Sequence, residues 1–242
     1  MIVRVAKTAG FCFGVRNALT VAEKAAREAP PDPRIRTYGP LIHNRQVIQE
    51  LEAKGIFSVD SPEEVQTGDW VVIRAHGIGE AVYRELEERG AVVIDATCPY
   101  VKKIHRIVRE RSAQGDTILI LGDAAHPEVK GICGWCLTPP KIYAGEHEIL
   151  ADPPDKAARY TVVAQTTFNQ DYFKKNIELL TNMGYNLHIC STICTATAEH
   201  QKEAAELAAV SDVMIVIGGK NSSNTRKLYE LCRSRCERTY YI

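Results

Sequence analysis

Short β-branched runs alternate with amphipathic stretches along nearly the whole chain, and this alternation leaves few folds open. "RIRTYG", "WVVIRAHG", "AVVIDATC", "TILILGDA", "YTVVAQTT", "YNLHIC" and "VMIVIGG" read as strands. Between them, "RQVIQELEAKG", "GEAVYRELEERG", "YVKKIHRIVRERSAQG", "QDYFKKNIELLTNMG", "TATAEHQKEAAELAAV" and "TRKLYELCRSRC" read as helices, several closed by glycine. A further amphipathic helix follows "GFCFGV" near the start. Strands that trade places with helices in this way build parallel sheets covered by helices, an α/β fold. "APPDPR" and "ADPPDK" mark loops, and no low-complexity segment interrupts the pattern.

The totals narrow the function classes. At 242 residues and 45% hydrophobic, the chain is long enough for one large domain or two or three small ones. Its longest apolar runs fall far below the roughly 18 residues of a membrane span, and Met1 leads straight into a strand-like "IVRVA". These features predict a soluble, cytoplasmic protein. Thirty basic and thirty acidic residues cancel, so the overall field favours neither nucleic acid nor an anionic membrane. Eight cysteines without a secretory signal point to reduced thiols or metal ligands rather than structural disulfides.

The polar residues fall in one phase. His43 and Asn44, His76, Cys98, His126 with Glu128, Thr166 and Thr167, Cys194, and Ser222, Ser223 and Asn224 all follow a strand and precede a helix. Ligands of open α/β sheets sit beyond the carboxyl ends of strands, so these positions are expected to face a common site. "GFCFGV", "DATCPYV" and "STICTAT" each place one cysteine where a helix begins, separated by 86 and 96 residues. Pro99 suits a first helical position and makes Cys98 the cap. Helix amino ends favour thiolate, and three thiolates from three α/β units suit a metal cluster. For any one of them, the alternative is a small buried hydrophobe.

"GFCFGV", "HN", "AHG", "DATCPYV", "HPEV", "QTT", "CSTICTAT" and "GGKNSSNT", in that order, resemble the 4-hydroxy-3-methylbut-2-enyl diphosphate reductase family, the last enzymes of the non-mevalonate isoprenoid pathway. The resemblance implies three similar α/β domains with mainly parallel sheets, arranged as a trefoil around a central iron-sulfur cluster. The domains would be 13–97, 98–193 and 194–242, the last completed by the leading strand 1–12. Cys12, Cys98 and Cys194 would hold a 4Fe-4S cluster, or 3Fe-4S after oxidation, with one iron left open for the substrate hydroxyl. Glu128 would supply the proton that lets the oxygen leave as water, with Thr166 relaying it and His126 hydrogen-bonding the substrate. His43, His76, Ser222, Ser223 and Asn224 would hold the diphosphate, using hydroxyls, an amide and backbone N–H groups at a helix start. Products would be isopentenyl and dimethylallyl diphosphate, and the electron donor a ferredoxin or flavodoxin.

Some features stand outside this pattern. The family continues beyond "RTYYI" with a tail carrying an "AGAS-P"-like motif whose serine also grips the diphosphate, so the third unit is expected to be incomplete at Ile242. Cys133 and Cys136 in "GICGWC" are not in the family's catalytic set and read as bystanders, against a thioredoxin-like or zinc role. Cys232 and Cys236 share one helix face and read as packing, whereas Cys190, in phase with Cys194, is the main competitor for its place. His105, His147, His188 and His200 carry no motif and are taken as structural or solvated. Two competing functions remain: a thiol-disulfide or zinc protein built on Cys133 and Cys136, and a non-catalytic sugar-phosphate or diphosphate binding module built on "GGKNSSNT" alone.

Overall fold

The computed structural model describes residues 2–29 and 34–242. Its first unit runs α1 (Phe13–Glu28), β1 (Ile35–Tyr38), α2 (Arg45–Ala53), β2 (Ile56–Val59), a 3-10 turn (Pro62–Glu64), β3 (Trp70–Ile73), α3 (Glu80–Glu88) and β4 (Val92–Asp95). The second runs α4 (Pro99–Ala113), β5 (Thr117–Leu121), α5 (Pro127–Cys133), β6 (Lys141–Tyr143), α6 (Glu146–Ala151), β7 (Arg159–Ala164), α7 (Gln170–Asn182) and β8 (Asn186–Ile189). The third runs α8 (Thr195–Ala208), β9 (Met214–Val216), α9 (Ser223–Arg233) and β10 (Thr239–Tyr241).

The first two units are variations on one topology. Their four-stranded sheets have the orders β2-β1-β3-β4 and β6-β5-β7-β8, and every pairing is parallel. The third sheet, β10-β9, repeats the first pairing of that order. Helices cover both faces, so a central strand is apolar throughout. Val71 and Ile73 of β3 pack in one core with Leu86 of α3, while Val72 packs in another with Ala18 and Ala22 of α1. In β5, Leu119 and Leu121 enter one core and Ile118 and Ile120 the opposite one. This is the α/β architecture of parallel sheets expected from the pattern.

The departures are local. β2, β6, β10 and α6 are short elements not marked in the sequence pattern. The strand expected in "IVRVA" does not form: residues 2–6 pair with no sheet among the described residues, and Ile2, Val3 and Val5 are exposed. A β-pattern becomes a strand only where a neighbour takes its backbone N–H and C=O groups. The predicted loop at 29–34 falls largely outside the described residues. No helix of the described residues is long and apolar enough to cross a membrane.

Candidate active site

Each unit begins with a helix whose N-cap is a cysteine: Cys12 for α1, Cys98 for α4 and Cys194 for α8. Three joints bring these helix starts together. A Cβ on Gly14 would lie 2.6 Å from the Cys98 sulfur and 4.0 Å from that of Cys12, so glycine leaves the room in which two thiols approach. The Tyr100 and Thr195 hydroxyls meet at 2.6 Å, tying α4 to α8. Glu203 of α8 accepts hydrogen bonds from the backbone N–H groups of Lys7 and Thr8 at 2.7 and 2.8 Å and from the Thr8 hydroxyl at 2.6 Å, which holds the Cys12 loop against the third unit. The backbone of the last two cysteines is anchored alike: Cys98 N–H donates to Ala75 C=O at 3.0 Å and Cys194 N–H to Thr166 C=O at 3.1 Å.

The thiol environments are mixed. Burial pushes the Cys98 thiol up, against the backbone N–H groups of Tyr100 and Val101 and with Cys12 and Cys194 in electrostatic range. Burial likewise raises Cys194, although the Thr197 hydroxyl, 3.0 Å from its sulfur, and the Thr197 N–H at 3.3 Å favour the thiolate. Helix-end stabilisation alone, the expectation from sequence, is therefore outweighed by desolvation in these two thiols. Metal binding reverses that balance by ionising the thiol outright. The donor set, the glycine-lined space and the three helix ends fit a sulfur-ligated cluster.

Beside the cysteines, the rings of His43, His76 and His126 converge with centroids 4.6 to 5.7 Å apart. One nitrogen from each lies within 4.8 Å of the others, an arrangement able to serve an anion or a metal ion. His43 Nε2, His76 Nδ1 and His126 Nε2 are buried without a partner. His126 Nδ1 accepts the Glu128 N–H at 3.1 Å, which assigns the proton to Nε2 and leaves that N–H free to donate. Burial, reinforced by neighbouring charge, pushes all three imidazoles toward the neutral form, His126 to about 4. Gly219, in the turn before α9, packs directly on the His43 carbonyl, where no side chain fits.

Glu128 is buried, and both its oxygens are engaged by Thr166: the backbone N–H donates to Oε1 at 2.6 Å and the hydroxyl to Oε2 at 2.7 Å. Burial raises its pKa, while these two bonds and the Lys227 charge pull the other way. The start of α9 docks on the same loop, with Thr167 and Ser223 hydroxyls 2.9 Å apart and the Gln165 amide donating to Ser223 at 3.3 Å. Ser222 is the N-cap of α9, accepting from Thr225 N–H at 3.3 Å. Asn224 has its amide nitrogen 3.5 Å from His200 Nδ1, and its Oδ1 is buried without a partner.

The structure thus gathers Glu128 with Thr166, His43 with His76 and His126, and Ser223 with the 165–167 loop. Sequence reasoning missed Gln165, Thr197, Gly219, His200 and Lys227; of these, only Thr197, three residues after a cysteine cap, carried a usable signal. The remaining cysteines lie elsewhere. Cys133, Cys136 and Cys190 are half-buried against the Ile104–Val108 core, and burial pushes Cys136 up to about 12, the opposite of a reactive thiol. β8 ends before Cys190, so the period-two argument linking it to Cys194 does not apply. Cys232 and Cys236 pack in the small third core, Cys236 lying beyond the end of α9 rather than on it. His105 is buried and stacked on Trp135 at 5.4 Å, a structural role.

With this geometry in view, comparisons place the chain. It matches the family described as LytB protein over residues 3–242. It is 42% identical over 240 residues to the 4-hydroxy-3-methylbut-2-enyl diphosphate reductase of Clostridium perfringens (strain 13 / Type A), covering 98% of this chain and 83% of that protein. The enzyme of the same name from Desulfovibrio desulfuricans is 41% identical over 246 residues, covering 100% of this chain and 86% of the relative. A solved (E)-4-hydroxy-3-methyl-but-2-enyl diphosphate reductase, the terminal enzyme of the non-mevalonate pathway, superposes with a TM-score of 0.74 at 37% identity, covering 99% of this chain and 85% of that one. The Plasmodium falciparum E-1-hydroxy-2-methyl-but-2-enyl-4-diphosphate reductase gives a TM-score of 0.90 at 26% identity, covering 96% and 73%. The chain belongs to the LytB family.

Proposed function

We infer that the chain catalyses the reductive dehydroxylation of (E)-4-hydroxy-3-methylbut-2-enyl diphosphate to isopentenyl diphosphate and dimethylallyl diphosphate. The C–O bond at the allylic carbon breaks, two electrons and two protons are taken up, and the oxygen leaves as water. The single observation that carries this reading is the buried Glu128–Thr166 pair lying in the strand-end region shared by the cysteine caps and the histidine cluster.

Cys12, Cys98 and Cys194 would hold an iron-sulfur cluster, 4Fe-4S by the three-thiolate pattern. When bound, the cluster supplies electrons and a Lewis-acidic iron not occupied by cysteine. The chain's own residues do the rest. Glu128, whose pKa burial raises, is the acid that delivers a proton to the leaving oxygen, because water leaves more readily than hydroxide. Thr166 fixes the carboxyl in place and offers a hydroxyl through which the proton moves. The free Nε2–H of His126 orients the substrate, and His43, His76, Ser222, Ser223 and Asn224 receive the diphosphate. An anion is preferred to a metal ion at the three imidazoles because hydroxyl and amide groups of the α9 start accompany them. The units 13–97, 98–193 and 194–242 act as domains around this site. Electrons come from a ferredoxin or flavodoxin, and the setting is cytoplasmic.

Glu128→Gln in anaerobically prepared enzyme tests the assignment. Turnover is expected to fall by roughly a hundredfold or more, with iron content and substrate affinity retained. Unchanged turnover removes Glu128 from the mechanism.

A further inference from the structure

None of the residues assigned above to the diphosphate carries a fixed positive charge. The three imidazoles are held toward neutrality by burial, and the groups at the start of α9 are uncharged. A diphosphate carries several negative charges, and short-range neutral donors alone give such an ion little long-range attraction.

Lys227 lies on α9 one turn beyond Ser223, so the two side chains share a helix face. Ser223 is turned toward the 165–167 loop by its contacts with Thr167 at 2.9 Å and Gln165 at 3.3 Å. The Lys227 ammonium follows it, lying 4.9 Å from the centroid of the Phe168 ring in the same loop. An aromatic face holds a cation in place without neutralising it. Among the described residues, no carboxylate forms an ion pair with Lys227. Glu128 instead accepts from Thr166 on each of its oxygens. The ammonium is within electrostatic range of Glu128, Asp123 and His126, and of Glu230 on its own helix.

We propose that Lys227 is a substrate-binding residue, placing a fixed positive charge on the diphosphate between the Ser222–Asn224 turn and the histidines. This rests on the diphosphate reading of the site given above. Arg74, whose buried Nε is also without a partner, is the other cation that acts on the imidazoles; its guanidinium lies over the Tyr38 ring at 5.9 Å, within the first unit and away from the start of α9. Burial pushes the Lys227 ammonium down to about 8, against the charges of Glu128, Glu230 and Asp123, none of which forms an ion pair with it. A bound anion opposes that shift.

The test is calorimetric titration of inorganic diphosphate into anaerobically prepared holoenzyme, comparing wild type with Lys227→Met, Lys227→Gln and Lys227→Arg. Removing the charge should weaken binding about 10- to 100-fold in the Met and Gln variants, whereas Arg should stay within about threefold of wild type. KM for the allylic diphosphate should rise in step while kcat changes little, the signature of lost ground-state binding. Using both Met and Gln keeps the result readable if one of them folds poorly. If wild type binds inorganic diphosphate and the Met or Gln variant binds it equally well, Lys227 has no such role and the diphosphate site stands. If wild type itself does not bind it, the anion reading of the site falls, and the assignment of Lys227 with it.

Discussion

Two buried polar clusters stand at opposite ends of β5, and they differ in one respect. Before the strand, Asp116 is fully buried and saturated: Arg111 Nη2 reaches Oδ2 at 2.6 Å, the Thr161 hydroxyl donates to the same oxygen at 2.6 Å, and Arg159 Nε pairs with Oδ1. Burial alone would raise that carboxyl, but these partners hold it below the ordinary range. Beyond the strand, His126 joins His43 and His76 with three ring nitrogens left unpartnered. A closed cluster holds the fold, and an open one has been left short of partners that a ligand can provide. The saturated cluster lies at the amino end of the strand and the open one at the carboxyl end, where open parallel sheets bind their ligands.

The largest expected effect breaks the closed cluster. Asp116→Asn leaves two arginines partly uncompensated and is expected to cost about 3 kcal/mol, the low end for a buried pair because both arginines reach solvent. Thermal denaturation should register a Tm lower by roughly 6–12 °C, with inorganic diphosphate affinity unchanged; a loss of affinity would show that the two ends are coupled. Next comes His126→Asn, which retains an oxygen able to accept the Glu128 N–H as a helix cap. Here the pattern should invert, with diphosphate affinity falling about tenfold and Tm held.

The smallest effect sharpens the comparison through pH. In the folded protein His126 titrates at about 4, well below its unfolded value, so the unfolded chain binds more protons as the solution is acidified. Stability supplied by the neutral ring is full above about pH 6.5 and is lost progressively as pH falls toward about 4. His105, also at about 4, adds to the same slope. Tm should therefore drop across this window in wild type and drop less steeply in His126→Asn. Equal slopes would mean that His126 is not held neutral.

The open half of this contrast was legible in the sequence, the closed half around Asp116 was not, and the limits have physical causes. The strand-to-helix phase of His43, His76 and His126 follows from local pattern, because each sits in a loop between two readable elements. The cysteine caps were legible for the same reason, Pro99 marking one helix start directly. The strand in "IVRVA" was misread because its alternation is local whereas pairing is not, and the chain instead fastens the following residues to Glu203. Lys227 carried no signal in the sequence; the docking of α9 onto Phe168 is what half-buries it. Gly219 carries no sign in its neighbours of the His43 carbonyl that it must admit.

The account depends on sulfur atoms from three units gripping one inorganic cluster next to the open histidine site. Iron and acid-labile sulfide counted on anaerobically purified protein, wild type beside Cys98→Ser, test this most directly. The account predicts about four irons and four sulfides per wild-type chain and loss of the cluster in the serine variant. A wild-type chain without iron, or a Cys98→Ser variant with a full complement, would contradict it.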